Sequence, residues 1–504
     1  MGYQPPDATN VEDPLGASPR DPEFQLREEF AFRDGLRAWA TGFPWVCMAT
    51  LRYLWTNVPQ DPVNVPYAPL NRLWHMRQLA DASLADGAQP NNDTPYSIAW
   101  LDLAAEPVIL GHRDMGRRQF AFDLVGMGLE RFASIGGRET GPAAGAFAIR
   151  GPDWRGTVPR GIVLLPRAAS NSVLLVGRTE ACGVADLPAL HDAQDGYRLV
   201  PLGCWPDAPL PPESRAVLVP VPPLADPLGD WKTMNSAMTA DPPRRAGAAI
   251  ESWAHLGIGP GLRVETQPEP VLRGLARAAA HARRRLAEGR SLQEQPVIAG
   301  WTMLPLPSDE SRHVSEYSRW QVAATGALGW RRGSRTVAAA EPPQDLHAHA
   351  RTALGRVGLE TMASLACHAT HAPVEFSASA DEDGAPLVGG RSYRLRFAPG
   401  CLPPARYSWV VTFYGTDGNL VPTACARASI GSRDRGFVLD PDGGATIAIT
   451  SAPPPDIVNW LPAPVERRSF YLLLRLYAGD RAAIGGTWRP PAVRSEEDPP
   501  AQSR

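Results

Sequence analysis

Two long stretches of this chain alternate apolar and polar residues, and the segments around them keep a helical spacing instead. From residue 96 the pieces "YSIAWLDL", "PVILGH", "RQFAFDLV", "GAFAIRG", "GIVLLP" and "SVLLVGR" read as short strands broken by Gly and Pro. Beyond residue 373, "VEFSASA", "SYRLRFAPG", "YSWVVTFYG", "GFVLD", "ATIAITS" and "FYLLLRLYA" repeat that pattern. The pairs Asp383-Gly384, Asp417-Gly418 and Asp442-Gly443 separate several of them, as hairpin turns require. In "SYRLRF", Tyr393, Leu395 and Phe397 alternate with Arg394 and Arg396, which predicts one buried face and one wet face.

Helical spacing precedes each block. "EFQLREEFAFRDGLRAWATG" sets Phe24, Leu26, Phe30, Phe32, Leu36 and Trp39 at mostly helical intervals, and "PLNRLWHMRQLADASLADG" reads as a helix closed by Gly87. "ADLPALHDAQDGYRL" is a further helix, as are much of 246–295 and about 344–366. Proline is too dense across 200–245 for a helix or a central strand, so that segment is expected to link two domains. The chain then divides into a disordered segment at 1–22, a helical region at 23–90 and a first β-sandwich at 91–200. A Pro-rich linker follows at 201–245, then a helical region at 246–372, a second β-sandwich at 373–492 and a tail at 493–504. The expected fold class is mainly β with helical additions, built as two antiparallel β-sandwiches.

Composition narrows what such a chain can do. At 504 residues it exceeds one compact core. A net charge of −3 gives no basic footprint for nucleic acid. Lys232 is the single lysine, and "GDWKTMNS" gives it neither P-loop framing nor an activating neighbour, which disfavours Schiff-base and P-loop chemistry. The six cysteines (Cys47, Cys182, Cys204, Cys367, Cys401, Cys425) form no C-x-x-C pair and read as free thiols of a reducing compartment. "GFPWVCMATLRYLW" at 42–55 is too short and interrupted to span a bilayer, and the first residues lack the pattern of a signal peptide. A cytoplasmic protein with no membrane partner is expected.

The chemistry-bearing candidates concentrate at strand ends. Asn91, Asn92, Asp93 and Thr94 stand directly before Tyr96 and the first strand, more hydrogen-bonding capacity than a turn needs. Asp93 with Tyr96 suits an acid–base pair, with Asn91 as a ligand contact; tying down the strand-entry loop is the competing role. Arg178 ends "SVLLVGR", and Arg475 interrupts "FYLLLRLY" with Tyr477 two residues on and on the same face. A buried arginine must meet a carboxylate such as Asp93 or an anionic ligand; at an edge it needs neither. Asn459 and Trp460 of "NWLPAP" could hold a ligand or plug the end of a sandwich. His347, His349, Cys367, His368 and His371 cluster without a zinc signature, so no metal is assigned. No G-x-S-x-G, G-x-G-x-x-G or calcium loop is present, and no organic cofactor is expected.

The blocks Asn91-x-Asp93-Thr94-x-Tyr96-Ser97, "GPDWRGTVP", "VGRTE", "YRLRFAPGCLPPARYSWVVTFYGTDG", "IGSRD", "NWLPAP", "LLLRLY" and "GTWRPP" occur in an order that resembles a paired bacterial family. That family is domain of unknown function 1254 followed by domain of unknown function 1214, and the resemblance covers most of 90–200 and 375–492. It implies that the two sandwiches are jelly-roll-like, and it supplies no reaction. The chain departs from the family pattern after Asp123, where "LVGMGLERF" replaces an Asn-containing loop, and ahead of "DEDGAPL", where a tyrosine is missing. The residues favour an enzyme without organic cofactor, doing hydrolysis, dehydration or isomerisation on a small organic substrate. Asp93 and Tyr96 would be its acid–base groups and Arg178 or Arg475 with Tyr477 its clamp. A non-catalytic ligand-binding or structural protein is the alternative, and homo-oligomerisation stays open.

Overall fold

The computed structural model of the chain describes residues 21–58, 66–82, 91–223, 225–244, 247–288, 297–298, 301–303, 374–416, 418–423, 427–434, 436–456, 458–464, 466–484 and 487–496. Four sheets, mainly antiparallel, and a few helices make up these residues, and none of the sheets closes on itself. In the first half, one sheet has the order β1 (Trp74–His75), β2 (Tyr96–Asp102), β8 (Ser172–Thr179), β4 (Phe120–Gly126), β5 (Arg131–Gly136). The other runs β7 (Val163–Leu164), β6 (Gly145–Ile149), β3 (Val108–His112), β9 (Arg198–Pro201). Side chains alternate across a strand, so Leu101, Phe122 and Leu175 meet Leu110, Phe147 and Ile149 of the second sheet in one core. Their neighbours Trp100, Val125, Leu174 and Val176 face away into another. Burial on both faces is why β8 reads as the nearly continuous apolar run "SVLLV".

The second half repeats the arrangement. One sheet is β10 (Val297–Ile298), β11 (Trp301–Met303), β12 (Val374–Ala378), β18 (Phe470–Gly479), β14 (Ala405–Gly415), β15 (Ser429–Gly431). It packs over β17 (Trp460–Pro462), β16 (Ala445–Thr450), β13 (Ser392–Phe397), β19 (Arg494–Glu496). Phe470, Leu472, Leu474 and Leu476 of β18 enter the core between these sheets. Tyr471 and Leu473 point the other way, into the core shared with the first half. As "SYRLRF" predicts, Tyr393, Leu395 and Phe397 are buried and Arg394 and Arg396 are not.

Helices α1 (Pro22–Asn57), α3 (Gly229–Ala240) and α5 (Glu269–Glu288) complete the shared core. Asp21 caps α1 by accepting from the Glu23 N–H, and Pro22 needs no donor at the first turn. At Gly35 an added Cβ would stand 2.9 Å from that of Ala278, so its absence lets α1 and α5 touch. Of two short helices, α4 (Gly247–Glu251) adds Ile250 to this core and α6 (Arg481–Ile484) adds Ala483 to that of the second half, while α2 (Leu187–Asp195) falls where the sequence places a helix before β9. No described helix is long and apolar enough to cross a membrane.

Several expectations need correction. The segment 201–245 is more than a linker, because its stretch "GDWKTMNSAMTA" contains no proline and forms α3. Residues 66–82 are irregular around one short strand rather than helical: Trp74 and His75 pair with Ile98 and Ser97 at the sheet edge. "GFVLD" is an irregular segment, and the edge strand there is Ser429–Gly431. The supposed tail supplies β19, paired to β13. The expected helix at 344–366 and the segment 1–20 lie outside the described residues.

Trp231 of α3 is fully buried, and its indole N–H donates to the Leu275 carbonyl at 3.0 Å. Trp231→Ala is expected to lower stability by about 3–5 kcal/mol in chemical denaturation, whereas a linker residue would cost almost nothing.

Candidate functional site

The antiparallel ladder of β2 and β8 continues beyond the strands. Tyr96 stands opposite Arg178, and the Thr179 and Ala181 N–H groups donate to the Pro95 and Asp93 carbonyls at 3.2 and 2.8 Å. This register brings Asp93, just ahead of one strand, beside Glu180, just past the other. Two carboxylates far apart in sequence therefore share one end of the sheet.

From the second half, β18 offers Arg475 and Tyr477 on the face that leaves its own core. The Tyr477 hydroxyl donates to Asp93 Oδ1 at 2.9 Å. Arg475 is 2% exposed and cannot stay bare in such surroundings. Its Nε donates to Glu375 Oε1 at 2.9 Å and its Nη1 to the Tyr414 hydroxyl at 2.7 Å. β12 and β14 supply those partners from either side of β18, Glu375 directly opposite Arg475.

Asp93 keeps a little exposure toward a cleft between the halves, with a volume of about 340 Å³. Asn92, Glu180, Cys182 and Val184 line it from the first half; Ser408, Val410, Arg427, Arg433 and Asp434 line it from the second. Desolvation pushes the Asp93 carboxyl up to about 6; Arg475 and the Tyr477 hydrogen bond oppose the rise, and Glu180 adds to it. Burial also raises Glu180, opposed chiefly by Arg433. Arg433 bridges the halves, pairing with Glu180 and donating to the Arg117 carbonyl at 3.1 Å. Burial holds the Tyr477 hydroxyl well above its ordinary range, so it stays a donor. Asp93 is thus a group of this cleft whose proton exchanges near pH 6.

The structure separates the other candidates. The hydroxyl set on Asp93 is that of Tyr477, while the Tyr96 ring lies under the Arg178 guanidinium, 5.4 Å from its centroid. Arg178 stands on a central strand and reaches Asp123 at 3.5 Å, with Arg131 at 3.6 Å on the other carboxylate oxygen and Ser134 donating to it. Arg475, not Arg178, is the guanidinium in the electrostatic surroundings of Asp93. Ser97 is buried, 2.8 Å from His75 Nδ1, and Asn91 is buried beside the cleft residues. Asn459 spends its carboxamide on Val438 and Thr446, and Trp460 donates to the Thr450 carbonyl at 3.0 Å; neither lines the cleft. No metal-holding group of His, Cys, Asp or Glu occurs among the described residues, and His347, His349, Cys367, His368 and His371 lie outside them. Asn92, Glu180, Ser408 and Arg433 went unassigned in the sequence. Glu180 ends the block "VGRTE", and a paired-strand register would have pointed to it.

The model of the family described as Protein of unknown function (DUF1254) matches residues 70–201, and that described as Protein of unknown function (DUF1214) matches residues 372–481. Among solved structures, the VPA0106 protein from Vibrio parahaemolyticus is similar over 93% of this chain and 100% of its own, with TM-score 0.63 and 21% identity, a likeness of fold. An uncharacterised protein from Burkholderia cenocepacia covers 94% of this chain and 95% of its own at TM-score 0.35 and 12% identity, too little for any argument. No curated protein matches the chain.

Because the folded-state pKa of Asp93 lies above its ordinary value of 3.8, its contribution to stability is complete below about pH 4 and is lost as pH rises through about 6. The stability of the wild type minus that of Asp93→Asn should therefore fall by at most about 3 kcal/mol between pH 4 and pH 7. Paired urea titrations across that range check it; a difference that rises or stays flat contradicts it.

Proposed function

We propose that this chain, which matches the DUF1254 and DUF1214 family models in turn, is an enzyme doing acid–base chemistry on a small organic substrate held between its two halves. The carrying observation is Asp93: a carboxyl raised to about 6, hydrogen-bonded by Tyr477 and facing the cleft. A group that titrates near the working pH both gives and takes a proton efficiently. Hydrolysis, dehydration and isomerisation all require that, and none needs an organic cofactor. Tyr477 holds the carboxyl in place; Arg475, already matched by Glu375, biases its charge without consuming it.

The same reading extends to the architecture and setting. The facing sheets of each half support a jelly-roll-like sandwich. The free thiols of Cys182, Cys204 and Cys401 support a reducing, cytoplasmic setting. One observation favours the alternative of a non-catalytic binding protein: Glu180, the second carboxylate of the cleft, is engaged by Arg433 rather than left to act on a substrate.

Incubation of the full chain with a small-metabolite extract, followed by mass spectrometry, separates the two readings. The enzyme reading predicts metabolites that change with the wild type and change about 10²-fold more slowly with Asp93→Asn. Since the Tyr477 hydrogen bond lowers the Asp93 pKa, Tyr477→Phe should shift the corresponding limb of the pH–rate profile to higher pH. Equal rates for wild type and Asp93→Asn, or retention of a metabolite unchanged, would leave the binding reading in place.

A further inference from the structure

We propose that Asn92 selects the ligand of this cleft, and that the ligand is an uncharged molecule presenting a hydroxyl or amide N–H to Asn92 Oδ1. The proposal rests on the Asp93 cleft being the binding site, but not on the chemistry performed there.

Asn92 is 9% exposed and lines the cleft beside Asp93. Its Oδ1 is buried with no hydrogen-bond partner among the described residues. An acceptor left in that state costs about 1–3 kcal/mol. Other buried asparagines of this chain are used differently. Asn235 donates to the Gly257 and Leu262 carbonyls at 2.8 and 3.0 Å and accepts from the Gly259 N–H at 2.9 Å. Asn459 is comparably engaged, accepting from Val438 and donating to two carbonyls. In both, the carboxamide is spent on backbone; at Asn92, a residue that lines the cleft, the buried acceptor has no partner among the described residues.

Charge decides the class. The cleft's arginines are matched within the protein: Arg433 pairs with Glu180, and Arg427 pairs with Asp434 at 3.0 Å. An anion would have to dislodge one of these carboxylates and would also approach Asp93. A cation would find Glu180 held by Arg433, Asp434 by Arg427 and Asp93 by the Tyr477 hydroxyl. A neutral donor meets the open acceptor at Asn92 and displaces no ion pair.

Saturation-transfer NMR on the full chain tests this with the isosteric probes propionamide, propionate and propylammonium, plus erythritol. Propionamide or erythritol should receive saturation while the two ions do not. In Asn92→Leu the neutral probes should bind about tenfold more weakly, the loss of one ligand hydrogen bond. The melting temperature of that variant should hold or rise, because the open acceptor is gone. Preferential binding of an ion, no transfer to any probe, unchanged binding by Asn92→Leu, or a large drop in its melting temperature would each overturn the proposal; the last would make Asn92 structural. If the neutral probes depend on Asn92 but Asp93→Asn turns metabolites over like the wild type, the acid–base reading falls and the selection role stands. If the probes ignore Asn92 while Asp93→Asn slows turnover, the selection role falls and the acid–base reading stands.

Discussion

A guanidinium buried in the middle of a sheet must be neutralised where it stands, and the site of this protein is organised around that demand. Arg475 lies on the central strand β18, which alternates between the core of the second half and the core shared by both halves. Its position places a positive charge at the junction. Glu375 and Tyr414 answer it from the flanking strands. Tyr477, one alternation further along, reaches across to Asp93 of the first half. Removing one partner of such a buried pair typically costs about 3–5 kcal/mol, because the other charge is stranded. The arrangement therefore fixes which residues of the two halves can meet.

Asp93 is held by opposing influences, of which desolvation is the largest. Desolvation by both halves favours its neutral form; Arg475 and Tyr477 favour the ionised one. Glu375 has already absorbed much of what Arg475 offers, and the balance leaves the carboxyl near 6. Glu180 stands in the same cleft, but Arg433 ties it to the second half, so the two carboxylates are inequivalent. Tyr477 holds Asp93 by a hydrogen bond, whereas Glu180 is ion-paired to Arg433 across the halves. That difference arises from burial together with the partner each carboxylate meets, on a fold that by itself implies no particular function.

Much of this was legible in the residues, for reasons that can be located. Alternation identified β13, apolar runs bounded by turn residues identified β14, β16 and β18, and the pattern of "FYLLLRLY" set Arg475 and Tyr477 on one face. The Asp93 cluster stood out because four polar groups exceed the needs of a turn. Strands of only two or three residues, such as β1 and β15, carry no period to read. The helix α3 was hidden by the prolines on either side of it, although its own residues are good core formers. The pairing of Asp93 with Tyr477 rather than with nearby Tyr96 is a contact across 384 positions, set by how the halves dock and not by local spacing. Glu180 and Asn92 escaped for related reasons: strand register makes the first important, and an unmade hydrogen bond the second.

The chemistry of the cleft turns on the protonation of Asp93. Carbon-13 NMR of protein labelled at the aspartate carboxyl would show it directly, with Asp93→Asn identifying the resonance by its loss. A midpoint near pH 6 is the expected result. A midpoint near the ordinary aspartate value of 3.8 would contradict it, leaving Asp93 a permanently charged tie between the halves.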